Sequence, residues 1–87
     1  MAQYLIESPH TKEECLRSLD EYLAKGTDVL DKFSWGCGVG DHTGYAIVDV
    51  ESEAEAKNLV PDFLLGKTKI VKVNKFTPEQ IKAYHEK

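Results

Sequence analysis

Three times along the chain a hydroxyl side chain stands three residues ahead of a Glu or Gln: Thr11 before Glu14, Ser52 before Glu55 and Thr77 before Gln80. In that arrangement the hydroxyl accepts from the backbone N–H three residues on, while the acid or amide reaches back to the first residue. Donors that a helix start leaves unpaired are thereby satisfied. The sequence thus predicts three helix starts, and strands are left for what lies between them. Pro78 strengthens the third start, because the first helical position loses nothing by lacking an N–H. After Thr11 the residues Cys15, Leu16, Leu19, Tyr22 and Leu23 recur at helical spacing, and Gly26 supplies the stop. Ala56, Leu59, Val60, Phe63 and Leu64 do the same after Ser52, with a kink or break expected at Pro61. The last helix carries only Ile81 and Tyr84 as an apolar pair, so it is expected to be short and held by docking.

The intervening segments read as strands: Gln3 to Ser8, about Leu30 to Cys37, Gly44 to Glu51 and Thr68 to Phe76. The second alternates, with Phe33, Trp35 and Cys37 on one face and Lys32 and Ser34 on the other, as an edge strand would. The third, Tyr45 to Val50, is apolar on both faces and is expected at the centre of a sheet covered on both sides. With 87 residues, 41% hydrophobic and 30% charged, the chain has material for one domain spanning residues 1–87. The fold class expected is α+β. The element order βαββαβ with right-handed crossovers gives a ferredoxin-like sandwich, an antiparallel sheet of order 4-1-3-2 with both long helices on one face and a short C-terminal helix. Two helices cover one side only. Leu5, with either Tyr45 and Ile47 or Ala46, Val48 and Val50, would then meet water unless the last helix or a second subunit covers them. A homodimer packed sheet to sheet is the expectation.

Charge and composition narrow the partners. A formal charge of −4, with acids scattered among lysines, leaves no basic stripe for phosphates, so nucleic acid is not expected. The sequence holds neither a basic leader with a long apolar run nor a stretch long enough to span a bilayer, which points to a cytoplasmic protein with no membrane partner. Cys15 and Cys37 do not make a disulfide framework and are expected to be free thiols.

The segment Gly36 to Gly44 is rich in glycine but lacks the dinucleotide spacing and leads into a strand, so no nucleotide cofactor is expected. It reads as a long hairpin loop. Topology makes the same end of the sheet more interesting. His10 follows the first strand, Cys37 closes the second, and Asp41 and His42 precede the third. Cys15 sits in the first turn of the helix that starts there. Imidazole, thiolate and carboxylate suit a transition metal such as zinc, nickel or iron. His10, His42 and Cys37 are the metal-ligand candidates, with Cys15 as a further member. Each cysteine also reads as a small core residue, and each histidine as a solvated loop residue. An enzymatic reading uses His10 or His42 as a general base oriented by Asp41, or Glu7 as an acid or base on a central strand. Trp35 and Tyr45, on adjacent strands, form either the wall of a ligand pocket between sheet and helices or a cross-strand core pair.

Three segments, Tyr4-Leu-Ile-Glu-Ser-Pro-His10, Gly40-Asp-His-Thr-Gly-Tyr-Ala46 and Lys72-Val-Asn-Lys-Phe-Thr-Pro-Glu79, look like those of small prokaryotic proteins of unknown function. Across nearly its whole length the pattern resembles the ferredoxin-like proteins of the dimeric α+β barrel type, which include muconolactone isomerases and small monooxygenases. That resemblance implies dimerisation through the open sheet face and a pocket between sheet and helices. The function expected is a homodimeric binding protein that takes a metal ion or small organic ligand near the hairpin edge. Its alternative is a cofactor-independent isomerase or oxygenase. The ligand set runs through His10, Cys37, Asp41, His42, Trp35 and Tyr45.

Overall fold

The computed structural model describes residues 2–86. Its centre is an antiparallel pair, β1 (Ala2–Pro9) and β3 (Thr43–Val50), in continuous register from Ala2 opposite Val50 to Pro9 opposite Thr43. β4 (Lys69–Val73) pairs with the other side of β1, and the two-residue β2 (Ser34–Trp35) with β3. The result is a four-stranded antiparallel sheet in the order β2-β3-β1-β4. Strand periodicity puts Ile6, Ser8, Ala46, Val48 and Val50 on one face, where all are buried, and Leu5, Tyr45 and Ile47 on the other. β3 is central, as its sequence suggests, but it is covered on one face only: Ile47 is 63% exposed.

The helices supply the cover. α1 (Cys15–Lys25) turns Ser18 and Tyr22, four residues apart, onto the sheet. Tyr22 is fully buried, with ring centroids 4.5 Å from Phe33 and 5.1 Å from Trp35. Its hydroxyl donates to Ser8 Oγ at 2.9 Å. The expected apolar stripe is therefore rotated. Leu16 and Leu23 are exposed, and Ser18 is accepted inside because its hydroxyl bonds back to the Glu14 carbonyl. Ala56 of α3 (Glu53–Lys57), Leu64 of α4 (Asp62–Leu65) and Val60 between them complete the core. The break between those two helices falls at Pro61, which precedes the first residue of α4.

The second strand is where sequence and structure part most. A short helix, α2 (Thr27–Asp31), occupies the start of the stretch read as strand. Val29 and Phe33 are both buried and stand four apart, a helical spacing that the alternation of Phe33 with Trp35 disguises. Cys37 falls in a 3-10 turn, Cys37–Val39, that follows β2.

The helix starts differ in completeness. Thr11 and Glu14 exchange both bonds, although regular helix begins only at Cys15. Ser52 accepts from the Glu55 N–H, but the Glu55 carboxylate takes the N–H of Glu51. Thr77 and Gln80 form the full reciprocal box at the head of α5 (Pro78–His85). Among the described residues, that helix does not join the core. None of its residues is buried, and it makes no substantial packing contact with another described element. Among the described residues no helix is long and apolar enough to cross a membrane.

Candidate metal centre

His10 and His42 continue the inward-facing positions of β1 and β3 by one step. The inward series on β1 runs Ile6, Ser8, His10, and on β3 it runs Val48, Ala46, Gly44, His42. The backbone N–H of His10 donates to the His42 carbonyl at 2.9 Å, extending the ladder past Pro9 and Thr43. Both imidazoles thus emerge on the helix side of the sheet, with ring centroids 5.7 Å apart.

The two cysteines arrive from outside the central strands. Cys15 is the first residue of α1, held there by the exchange between Thr11 and Glu14, and Glu14 is itself bound by Lys67 Nζ at 2.6 Å. Cys37 opens the 3-10 turn of the hairpin loop. That loop closes on itself: Asp41 N–H donates to the Gly36 carbonyl at 3.0 Å, and Gly36 N–H to the Thr43 carbonyl at 3.0 Å. Gly40 ends the turn at φ +89°, a left-handed conformation that favours glycine.

These elements bring one ligand atom each from His10, Cys15, Cys37 and His42 within 4.8 Å of one another. Cys15 Sγ lies 3.4 Å from Cys37 Sγ, which lies 3.3 Å from His10 Nε2. A tetrahedral ion with bonds of about 2.0 to 2.3 Å holds its ligand atoms about 3.3 to 3.8 Å apart. The two sulfurs are already at that spacing, and the widest pair in the set, which includes a histidine nitrogen, needs to contract by about 1.5 Å at most to meet it. The Nδ1 atoms of both histidines are buried without a hydrogen-bond partner among the described residues. Buried orphan nitrogens are costly, but it is the Nε2 of His10 that faces Cys37 Sγ, so an ion held there would leave its Nδ1 unpaired. His10 is buried, while Cys15, Cys37 and His42 are half-buried. The centre is thus reachable from solvent beside the exposed loop tip of Gly38, Val39 and Gly40.

Burial and the neighbouring His42 hold the His10 imidazole below its ordinary pKa, against the opposing pull of the Ser8 backbone and Glu14. The neutral, ligating form is favoured. Burial, together with the hydrogen bond to Cys15, pushes the Cys37 thiol up. A bound cation would have to displace that proton.

Behind the cluster stands Trp35, its ring centroid 6.1 Å from that of His10. The indole lies flat enough on β3 that a Cβ on Gly44 would sit 2.6 Å from Cζ3. Trp35 also meets Phe33 and Tyr22, so it backs the site as part of the core. The shared pocket wall with Tyr45 is not formed: Trp35 pairs with Gly44 and Ser34 with Tyr45, which sends the two aromatics to opposite faces of the sheet.

Asp41 does not join the ligand group either. Its carboxylate accepts from Thr43 Oγ1 at 2.9 Å and Tyr45 Oη at 2.6 Å, and these bonds hold it below the usual carboxylate range. The same bond to Asp41 raises the Tyr45 phenol. Asp41 therefore organises the loop rather than orienting His42. Glu7 lies on the open face, opposite Tyr45 on one neighbour and Lys69 on the other. The two alternative enzymatic candidates, His42 and Glu7, thus lie on opposite faces of the sheet. Sequence spacing leaves Cys15 with the weakest claim of the four, and it misses Gly44 and the hold of Lys67 on Glu14. Comparison with protein-family models, with curated proteins and with solved structures finds no match.

Proposed function

We propose that this chain is a small homodimeric metal-binding protein, and that His10, Cys15, Cys37 and His42 together take one first-row transition ion, zinc foremost. The observation that carries the reading is the four-fold convergence itself: two imidazoles and two thiols, drawn from four separate segments, lie within 4.8 Å of one another. Two sulfur and two nitrogen donors in a tetrahedron suit zinc, which has no geometric demand of its own. Four protein ligands would fill such a site, leaving no open position for a substrate or an activated water. Binding, storage or sensing of the ion is therefore favoured over catalysis. The half-burial of three of the ligands suits an ion that exchanges with solution.

We read the fold as ferredoxin-like, of the dimeric α+β barrel type. A strand order that runs β4-β1-β3-β2 from the other edge, with the helices packed on one face, supports that reading. The apolar residues of the uncovered face support a homodimer. Metal analysis of protein made without a histidine tag tests the central claim. One equivalent per chain, retained through gel filtration after reconstitution with zinc, is expected. Substoichiometric metal after the same treatment contradicts it.

A further inference from the structure

Among the described residues, two apolar surfaces face solvent. One is the sheet face carrying Leu5, Tyr45 and Ile47, with a depression of about 430 Å³ at the end where Gln3, Val73 and Lys75 meet Leu5 and Ile47. The other is the C-terminal arm, where Phe76 is 54% and Ile81 48% exposed, and where Phe76 meets the ring of Tyr84 at 5.8 Å.

The size of the deficit is informative. A compact monomer of 9.8 kDa exposes about 5200 Å². This chain exposes 5948 Å², an excess of about 750 Å², close to the roughly 800 Å² that each partner buries in a standard interface. Its radius of gyration of 15.4 Å and longest extent of 51 Å exceed the roughly 12 Å radius expected for 87 residues. The arm contributes to the difference, since none of the residues of α5 is buried.

The arm is also poorly made to fold back on its own sheet. Residues 74–77 contain no turn and no glycine. Pro78 holds the preceding Thr77 extended, at φ −86° and ψ 159°, and the complete capping box locks that exit. With Thr77 extended and no turn in residues 74–77, α5 leaves the end of β4 without returning to its own sheet.

We infer that α5 of each copy docks, through Ile81 and Phe76, on the open sheet face of a second copy around Leu5 and Ile47. The exchange is reciprocal, each chain giving one arm and receiving one, as a two-fold axis requires. This inference rests on the homodimer reading and adds to it the occupant of the face.

Equal amounts of ¹³C-labelled and unlabelled full-length chain, unfolded together and refolded, give a mixed dimer for isotope-filtered NMR. Intermolecular contacts between the Ile81 methyls of one copy and the Leu5 or Ile47 methyls of the other are expected. Ile81→Asp should weaken dimerisation about thirtyfold or more by sedimentation, the loss of one buried aliphatic side chain per arm. Leu16→Asp, on the exposed side of α1, should leave it unchanged. Dimers whose Ile81 contacts are intramolecular or absent, or that tolerate Ile81→Asp, overturn the arm exchange and leave the homodimer reading standing. A wild-type chain that stays monomeric at micromolar concentration overturns both.

Discussion

His10 and His42 are joined backbone to backbone, the N–H of one donating to the carbonyl of the other across 2.9 Å. The bond makes the two imidazoles an extension of the β1–β3 ladder instead of two loop side chains that happen to meet. Their spacing is set by the sheet, and Trp35 packs behind them where Gly44 gives it room.

Gly44 and Gly40 should respond differently to alanine. At Gly44 the new methyl meets the Trp35 ring at 2.6 Å, so Gly44→Ala should cost about 1 to 3 kcal/mol in chemical denaturation and weaken metal binding through the displaced indole. At Gly40 nothing lies within 4 Å of the methyl, and the cost is the left-handed φ alone, about 1 to 2 kcal/mol. Equal effects of the two on metal affinity would contradict this placing of Trp35.

Tyr22 links the core to alkaline stability. Burial pushes its phenol up to about 12, although the bond to Ser8 acts the other way. A raised folded value means that the stabilisation is fully present below the ordinary value of 10.0 and is lost as pH climbs toward 12. Tyr22→Phe should cost about 1 kcal/mol at neutral pH for the lost buried bond. It should also lose less stability than the wild type between pH 10 and 12. Parallel curves over that range would be the contrary result.

Glu14 shows the opposite sign. Its hydrogen bond from Lys67, with further help from the Thr11 N–H, lowers it from 4.5 to about 2. Its favourable contribution is thus present above the ordinary carboxylate range and lost as pH falls through about 2. Carbon-detected NMR should find Glu14 titrating well below the other glutamates, and Lys67→Ala should move it upward. The pair is exposed, so neutral-pH stability should change little. A Glu14 that titrates with the others in the wild type would refute the contact.

Much of this was legible from residue types alone. The hydroxyl and Glu or Gln spacing marks the starts of α1, α3 and α5, and Pro61 marks the break before α4, because these signals act over a single turn. Period two would also have placed His10 and His42 inward, had Ile6, Ser8 and His10 been counted as one series with Val48, Ala46, Gly44 and His42. What stayed hidden depends on distant partners. Val29 and Phe33 satisfy helical spacing while Phe33 and Trp35 satisfy strand spacing, and only the packing of Tyr22 against both rings decides between them. Cys15 looks like a member of an apolar stripe until α1 is rotated to bury Ser18 and Tyr22. Whether α5 docks cannot be read from its own two apolar residues, since the answer lies in the exit geometry of Thr77 and Pro78.

Cobalt replaces zinc in such sites and reports its ligands, which makes its absorption spectrum the most direct test of the four-ligand centre. Titrated into reduced, untagged protein, Co²⁺ should saturate at one equivalent per chain, with intense tetrahedral bands in the visible and thiolate charge transfer in the near ultraviolet. Cys15→Ser and Cys37→Ser should each remove part of the charge-transfer intensity. Each should also weaken binding about a hundredfold or more, as loss of one ligand in four implies. His85→Ala, on the exposed arm, should change neither. A weak octahedral spectrum, or cysteine variants that bind like the wild type, would contradict a metal held by His10, Cys15, Cys37 and His42.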